Sequence, residues 1–257
     1  MSILANIFMS SVGRKFLVAL TGLGLFLFVI VHMLGNLQIF LGPDPINHYA
    51  EFLKSKPALL WGTRIGLLLL VFIHITLGVL LALENRRARP VRYSIGKPAA
   101  SSLASRTILI SGLLIFSFVV YHLLQFTMGT TNPEYLELRD AHGRHDVYSM
   151  MVRGFSHPWV AVFYVLSMAL LCLHLSHGVS STFQSLGIRK RTWTLVDRFA
   201  KTAAILIFIG NTSIPLAVLS GMIREVPDRT VAVSSGQTSQ KAFASHAGGT
   251  ARRCSGP

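Results

Sequence analysis

Four histidines lie inside long apolar segments of the chain, where ionisable side chains are rare. His32 lies in FVIVHMLGNLQIF, residues 28–40, and His74, His122 and His174 lie in three further apolar segments. A neutral imidazole can bind a metal ion or exchange a proton. Because an ionisable group inside a membrane is costly, such a residue usually belongs to a functional site. One histidine alone could equally be structural, but four in four segments favour a ligand role.

The segments that carry these histidines are long enough to cross a membrane. Of 257 residues, 51% are hydrophobic and 13% are charged, a balance that is too apolar for a water-soluble domain. A spanning helix needs about 20 apolar residues, and lipid requires its backbone to be hydrogen-bonded internally. We predict an all-α membrane protein, a five-transmembrane-helix bundle over residues 1–225 with a disordered tail over residues 226–257. The spans are expected near residues 16–41, 61–83, 106–127, 158–182 and 202–222.

The distribution of charge predicts how the bundle is oriented. The chain has 24 Lys and Arg against 10 Asp and Glu, and the bases cluster before the first span and in the second and fourth connectors. This pattern indicates topology and contact with lipid headgroups, not nucleic-acid binding. The positive-inside rule then places the N-terminus in the cytoplasm and the C-terminus outside, although the tail is itself basic. The first apolar segment is too long for a signal-peptide core and is expected to be retained.

The depths of the four histidines predict two pairs. At a rise of 1.5 Å per residue, His32 and His122 lie roughly 24 Å above the cytoplasmic edge, and His74 and His174 roughly 13 Å above it. Two imidazoles that face each other inside a helix bundle suit a bis-histidine heme. The sequence therefore predicts two b hemes, with these four residues as axial ligands of the iron.

Glycines one turn from three of these histidines would leave space for a porphyrin. Gly35, Gly78 and Gly178 occupy these places, although close helix packing also uses glycine in membranes. Zinc would need four tetrahedral ligands in one place, and two pairs about 11 Å apart in depth do not supply them. Cys172 and Cys254 form no CxxC motif. A proton relay remains an alternative, but relays usually include acidic residues within the spans.

Further polar residues near the predicted hemes could bind their propionates or a quinone. Arg14 and Lys15, with Arg189 and Lys190, are expected on the cytoplasmic side, where they could pair with propionates or only with lipid phosphate. In INHYAEFLKSKP, His48, Tyr49 and Glu51 could exchange protons with a quinone, or this segment could be a solvated interfacial helix. His177 is a second candidate on the fourth span, but it lies at a poorer depth than His174. It could instead contact a propionate or a quinone.

Two stretches of the chain resemble a known family of membrane proteins. Five spans with histidines on the first four, together with SSVGRKFLVALTGLGLFLFVIVHMLGNL and HLSHGVSSTFQSLG, resemble the diheme cytochrome b membrane-anchor subunit of succinate dehydrogenase and fumarate reductase, the succinate:quinone oxidoreductases. The resemblance covers about residues 8–225. It implies that His74 and His174 hold the proximal heme and that His32 and His122 hold the distal one. The family ligand lies four residues before the glycine in HLSHG, which again selects His174.

The resemblance also implies a function and partners. The subunit would anchor a flavoprotein and an iron–sulfur subunit on the cytoplasmic face of the bacterial inner membrane. It would pass electrons between the iron–sulfur subunit and membrane quinone, with no residues catalytic toward succinate itself. Some fumarate reductases carry a glutamate where this chain has Cys172, so succinate oxidation is favoured over fumarate reduction. The alternatives are a fumarate reductase anchor, a cytochrome b subunit of another dehydrogenase and, from another class, a proton-coupled transporter.

Overall fold

The computed structural model describes residues 10–88, 103–187 and 193–226, and over these residues the regular structure is helical. The α-helices there are α1 (Ser11–Asn36), α2 (Pro43–Lys54), α3 (Pro57–Arg87), α4 (Leu103–His122), α5 (Val147–Ser156), α6 (Pro158–Ser185) and α7 (Trp193–Leu219). A 3-10 turn over Leu37–Leu41 extends α1, and a π-helical turn over Leu123–Thr127 extends α4. A short 3-10 helix, Pro133–Leu136, lies between α4 and α5. Apart from residue 226, the predicted tail lies outside the described residues.

Five of these helices are long and apolar enough to cross a membrane. They are α1 with its 3-10 extension, α3, α4 with its π-helical turn, α6 and α7, with spans of 31, 31, 21, 28 and 26 residues. This confirms the prediction of an all-α protein with five membrane-spanning helices. Large aliphatic and aromatic side chains are exposed along them, as expected of surfaces that face lipid. The chain is a multi-pass membrane protein.

The helix ends follow from local sequence. The Ser10 hydroxyl accepts a hydrogen bond from the Gly13 amide and so caps α1. Pro43, Pro57 and Pro158 begin α2, α3 and α6. Proline suits this position because its missing N–H would have no partner there in any case.

The spanning helices pack in a defined order. The most extensive contacts are those of α6 with α7, α1 with α3, α4 with α6, and α1 with α6. Neither α1 with α4 nor α3 with α6 belongs to the extensively packed pairs. Because α1 packs against α3 and α6, and α4 packs against α6 and less extensively against α3, α1 lies diagonally across the bundle from α4. In the same way α3 lies diagonally across from α6.

Two short helices close one end of the bundle. We call α2 together with residues 133–156 the cap, and the end that it covers the cap end. Most residues of α5 are buried, and Tyr148, Met151 and Phe155 belong to a core cluster that includes residues of α4, α6 and α7. The sequence offered a helix in α2 as one alternative, whereas α5 was not predicted.

Candidate functional site: two histidine pairs inside the bundle

The four span histidines meet as two pairs, each across the interior of the bundle. The rings of His32 on α1 and His122 on α4 have centroids 5.7 Å apart, with an angle of 87° between their planes. The rings of His74 on α3 and His174 on α6 have centroids 6.3 Å apart, at 66°. These are the partners that the depth estimate predicts. We call the first the cap-side pair, because it lies toward the cap end, and the second the far-side pair.

Hydroxyl groups hold both rings of the far-side pair. The Nδ1 atom of His74 lies 3.2 Å from Oγ1 of Thr21 on α1, the helix packed beside α3. The Nδ1 atom of His174 lies 3.4 Å from Oγ of Ser111 on α4, the helix packed beside α6. Each ring therefore points from its own helix onto a hydroxyl of the neighbouring one.

A glycine follows each of these hydroxyl residues and permits the close approach of the ring. A Cβ atom added at Gly22 would lie 3.0 Å from Cε1 of His74, and one added at Gly112 would lie 3.2 Å from Cε1 of His174. Few real Cβ contacts are this short, so a larger residue at either place would push on the ring. The glycines are therefore required by packing against the histidines.

The cap-side pair has a different set of partners. Nδ1 of His122 lies 3.2 Å from the Tyr164 hydroxyl, which in turn donates to Oε1 of the buried Gln125 at 2.9 Å. Nε2 of His32 lies 3.0 Å from Nδ2 of Asn36 one turn further along α1. An amide nitrogen can only donate, so this Nε2 accepts a hydrogen bond in the structure.

Phenylalanines also contact both cap-side rings. Phe28 stacks on His32 with centroids 5.3 Å apart, and Phe118 lies against His122 with centroids 6.0 Å apart. Each phenylalanine precedes its histidine by one helical turn. The apolar walls favour a neutral imidazole, which is the form that binds a metal.

The geometry fits two histidine ligands for each metal better than a cluster of protein ligands. Imidazole nitrogens bind metals at about 2 Å, so rings on opposite sides of one metal have centroids about 6 Å apart. Both pairs have that separation. Within the described ranges, no three His, Cys, Asp or Glu side chains come together as a metal site would need. A heme needs only two axial ligands from the protein because the porphyrin supplies the others.

The space beside the histidines is open at two of the three glycines named from the sequence. No heavy atom lies within 4 Å of a Cβ added at Gly78 or Gly178. The prediction for Gly35 was wrong, because Cε1 of Tyr49 lies only 2.8 Å from its added Cβ and the ring fills that place. The cap-side pair also requires that His32 give up its bond to Asn36 before Nε2 can bind a metal. The far-side pair is thus the better fit to a heme.

The basic residues predicted near the cytoplasmic edge have separate environments. Arg14 pairs with Glu84 at 2.7 Å and so links the start of α1 to the end of α3. Lys15 is exposed on α1. Arg189 and Lys190 lie outside the described residues. Of these residues, Arg14 is the one that the structure places in a contact between two spans.

The predicted quinone and propionate contacts are not gathered around the rings in one place. His48 and Glu51 are exposed on α2. Nε2 of His177 lies 3.0 Å from the Ser181 hydroxyl one turn along α6. His174, not His177, faces His74, as the depth argument favours.

The cap is held together by polar groups outside the spans. The fully buried Asn47 on α2 donates to Asp140 and Asp146 at 3.3 and 3.0 Å and accepts from the Tyr148 amide at 3.0 Å. Arg144 pairs with Asp140 at 2.7 Å and, also at 2.7 Å, with an aspartate of α2. A buried polar network of this kind is costly to break, so it fixes α2 to α5 over the cap-side pair.

The sequence reasoning missed the hydroxyl and glycine partners of the far-side pair, although the sequence contains a signal for them. TGLGLFLFVIVH, residues 21–32, and SGLLIFSFVVYH, residues 111–122, share a hydroxyl residue, a glycine and a terminal histidine at the same spacing. HITLGV, residues 74–79, and HLSHGV, residues 174–179, form a second matching pair. The spans of the chain therefore contain an internal repeat of two helices.

No protein-family model, no curated protein and no solved structure matches this chain. The family resemblance therefore stands on the motifs quoted above, and the arrangement of side chains is argued from this chain alone.

Proposed function

We propose that this chain is the membrane-anchor cytochrome b subunit of a succinate dehydrogenase and holds two b hemes between its helices. The observation that carries the proposal is the presence of two cross-bundle imidazole pairs, with ring centroids 5.7 and 6.3 Å apart. His74 and His174 would hold one heme, and His32 and His122 would hold the other. When bound, heme b supplies an iron that changes reversibly by one electron.

The residues of the chain would hold the heme and surround its ligands. Each ligand pair is taken from two helices that are not closely packed against each other, and a flat macrocycle would be held between them. Phe28 and Phe118 exclude water from the cap-side rings, and the cap covers that end of the bundle. Two ligand pairs at different heights would allow electrons to move between the faces of the membrane.

The partners and location belong to the same proposal and are supported by the motifs and the charge pattern. A flavoprotein and an iron–sulfur subunit would bind the cytoplasmic face of a bacterial inner membrane, nearest the far-side pair, and a membrane quinone would exchange electrons with the subunit. The N-terminus would lie in the cytoplasm. A fumarate reductase anchor or a subunit of another dehydrogenase would use the same ligand pairs, so these alternatives differ only in the enzyme that the chain anchors.

The spectrum of the purified full-length chain tests heme binding. We expect a reduced-minus-oxidised spectrum of the b type and two hemes per chain in a pyridine hemochrome assay. His74→Ala should remove one heme and His32→Ala the other, because each loses an axial ligand. His142→Ala, in an exposed connector, is the matched control and should retain both. A chain without heme, or variants that keep both hemes, would contradict the proposal.

Purification from native membranes tests the identity of the anchored enzyme. We expect a tagged chain to bring down a flavoprotein and an iron–sulfur protein that together reduce quinone with succinate. Recovery of both hemes with an enzyme that oxidises a different substrate would exclude the succinate dehydrogenase assignment and leave heme binding intact.

A further inference from the structure

Because of the repeat, both halves of the spanning bundle contain the same arrangement of a hydroxyl residue, a glycine and a histidine. In the first half, Thr21 and Gly22 on α1 face His74 on α3. In the second half, a serine and a glycine on α4 face His174 on α6 in the same way. Each half therefore seats its own far-side histidine on a hydroxyl residue of the preceding span.

The hydrogen bonds that the hydroxyl groups donate indicate which nitrogen of each imidazole carries the hydrogen. The Thr21 hydroxyl has one hydrogen, and its oxygen lies 2.8 Å from the Leu17 carbonyl oxygen and 3.1 Å from that of Val18, so the hydrogen is donated to the backbone one turn earlier. With that hydrogen on the nearer carbonyl oxygens, the hydroxyl oxygen accepts from Nδ1 of His74 at 3.2 Å, and the ring carries its hydrogen on Nδ1.

The same hydrogen-bond pattern is found in the second half of the bundle. The Ser111 hydroxyl donates to the Ile108 carbonyl at 3.1 Å, and its oxygen lies 3.4 Å from Nδ1 of His174. A neutral imidazole that carries its hydrogen on Nδ1 has a free electron pair on Nε2. This arrangement favours the hydrogen on Nδ1 of both far-side rings and leaves Nε2 free to bind a metal.

We propose that Thr21 and Ser111 are positioning residues that fix His74 and His174 in the Nδ1–H tautomer and so set the electronic properties of the far-side metal site. The tautomer is inferred from the hydrogen-bond distances, whereas the effect on a metal rests on the proposed function. An acceptor on Nδ1–H makes the other ring nitrogen a stronger donor to the metal. Such a donor would stabilise the oxidised metal more than the reduced one, so loss of the acceptor would raise the reduction potential.

The cap-side pair is an internal control because the repeat does not give it these partners. His122 is held by Tyr164, and the ring of His32 is bonded to Asn36 within the same helix. Removal of the Thr21 or Ser111 hydroxyl should therefore change the far-side heme and leave the cap-side heme as it was. A general loosening of the bundle would affect both.

The first test needs no heme. Full-length chain produced without heme and labelled with 15N-histidine should show, for His74 and His174, a protonated Nδ1 and a bare Nε2 by solid-state NMR. Thr21→Val should move the His74 signals toward the other tautomer, and Thr21→Ser should restore them. Unchanged His74 signals in Thr21→Val would overturn the inference, whether or not the chain binds heme.

The second test uses the heme-loaded chain in its complex. Thr21→Val and Ser111→Ala should raise the potential of the far-side heme and weaken its retention by about 10-fold or more, with the cap-side heme unchanged. Thr21→Ser and Ser111→Thr should restore both properties. Ser117→Ala on the exposed face of α4 and Ser167→Ala, buried on α6, remove hydroxyls that also donate one turn back, and should have no effect.

The two tests separate the inference from the proposed function. A wild-type chain that takes up no heme but shows the expected tautomers contradicts the proposed function and supports the positioning role. A diheme chain whose far-side potential is the same in Thr21→Val and Ser111→Ala as in the wild type contradicts the positioning role only. An equal shift of both hemes, or a shift in Ser117→Ala, would show a general structural effect and would also overturn it.

Discussion

At the scale of single residues, the far-side site depends on two glycines that have ordinary helical conformations. Gly22 and Gly112 are not needed for a turn, because neither has a positive φ angle. They are needed because an imidazole edge lies 3.0 or 3.2 Å from the place where a Cβ would stand. A helix of a water-soluble protein usually gains stability when such a glycine becomes alanine. Here the close contact should make the same substitution destabilising.

We expect Gly22→Ala to destabilise the chain. The new methyl group would force His74 or α1 to move, and overpacking of this kind costs about 1–3 kcal/mol. Gly66→Ala on α3 is the matched control, because no heavy atom lies within 4 Å of its added Cβ, and it should be neutral or stabilising. Thermal unfolding in detergent measures both variants. Equal melting temperatures for the two would contradict the packing argument.

At the scale of elements, the cap joins α2 to α5 through charges that are sensitive to acid. Hydrogen bonding from Arg144 holds the pKa of Asp44 below its usual value of 3.8. Burial acts to raise the pKa of Asp140, but its hydrogen bonds with Arg144 and His142 outweigh burial and lower it. Burial, followed by the positive charges of Lys54 and Arg139, lowers the pKa of His145 from 6.5.

All three shifts give the cap the same dependence on pH. A group whose pKa is lower in the folded state takes up its proton first in the unfolded state as the pH falls. The stability contributed by His145 is therefore full above 6.5 and is lost as the pH falls through its lower folded value. The contributions of Asp44 and Asp140 are lost in the same direction, below 3.8. The hydrogen bond of His145 with the Leu138 backbone and the negative charge of Asp146 act in the opposite direction and offset part of this lowering.

We expect the cap to loosen in two steps on acidification. Protease cleavage between residues 133 and 156 should become faster as the pH falls below 6.5, and faster again below 3.8. His145→Asn should remove the first step and leave the second. His142→Asn, in the same exposed connector, is the control and should keep both. A first step that survives in His145→Asn would assign it to another group.

At the scale of the whole molecule, the sequence predicts those features that depend on local composition and on the regular geometry of a helix. The five spans follow from apolar length, and the pairing of His32 with His122 and of His74 with His174 follows from the fixed rise of a helix. The burial of α5 could not be predicted, because it depends on partners from three distant helices. The contact of the Tyr49 ring with Gly35 could not be predicted either, because it depends on how α2 packs against α1. Thr21 and Ser111 are a different case, since the repeat would have revealed them.

The arrangement of the repeat predicts that neither half of the chain can complete a site alone. His32 and His74 belong to the first half, and their partners His122 and His174 belong to the second. The halves meet mainly through α1 against α6, with a smaller contact of α1 with α7, and through the polar bonds of the cap. Helices that pack closely in a membrane can associate without a covalent link.

A chain divided within residues 89–102 should therefore reassemble. We expect the fragment with α1 to α3 to co-purify with a tagged fragment that carries α4 to α7. Under the proposed function, each fragment alone should lack b heme, and the reassembled pair should hold two. Co-purification checks the packing and the heme spectrum checks the shared sites, so the two readouts are independent. Heme retained by either fragment alone would contradict the pairing across the bundle, because no cross-bundle pair lies within one fragment.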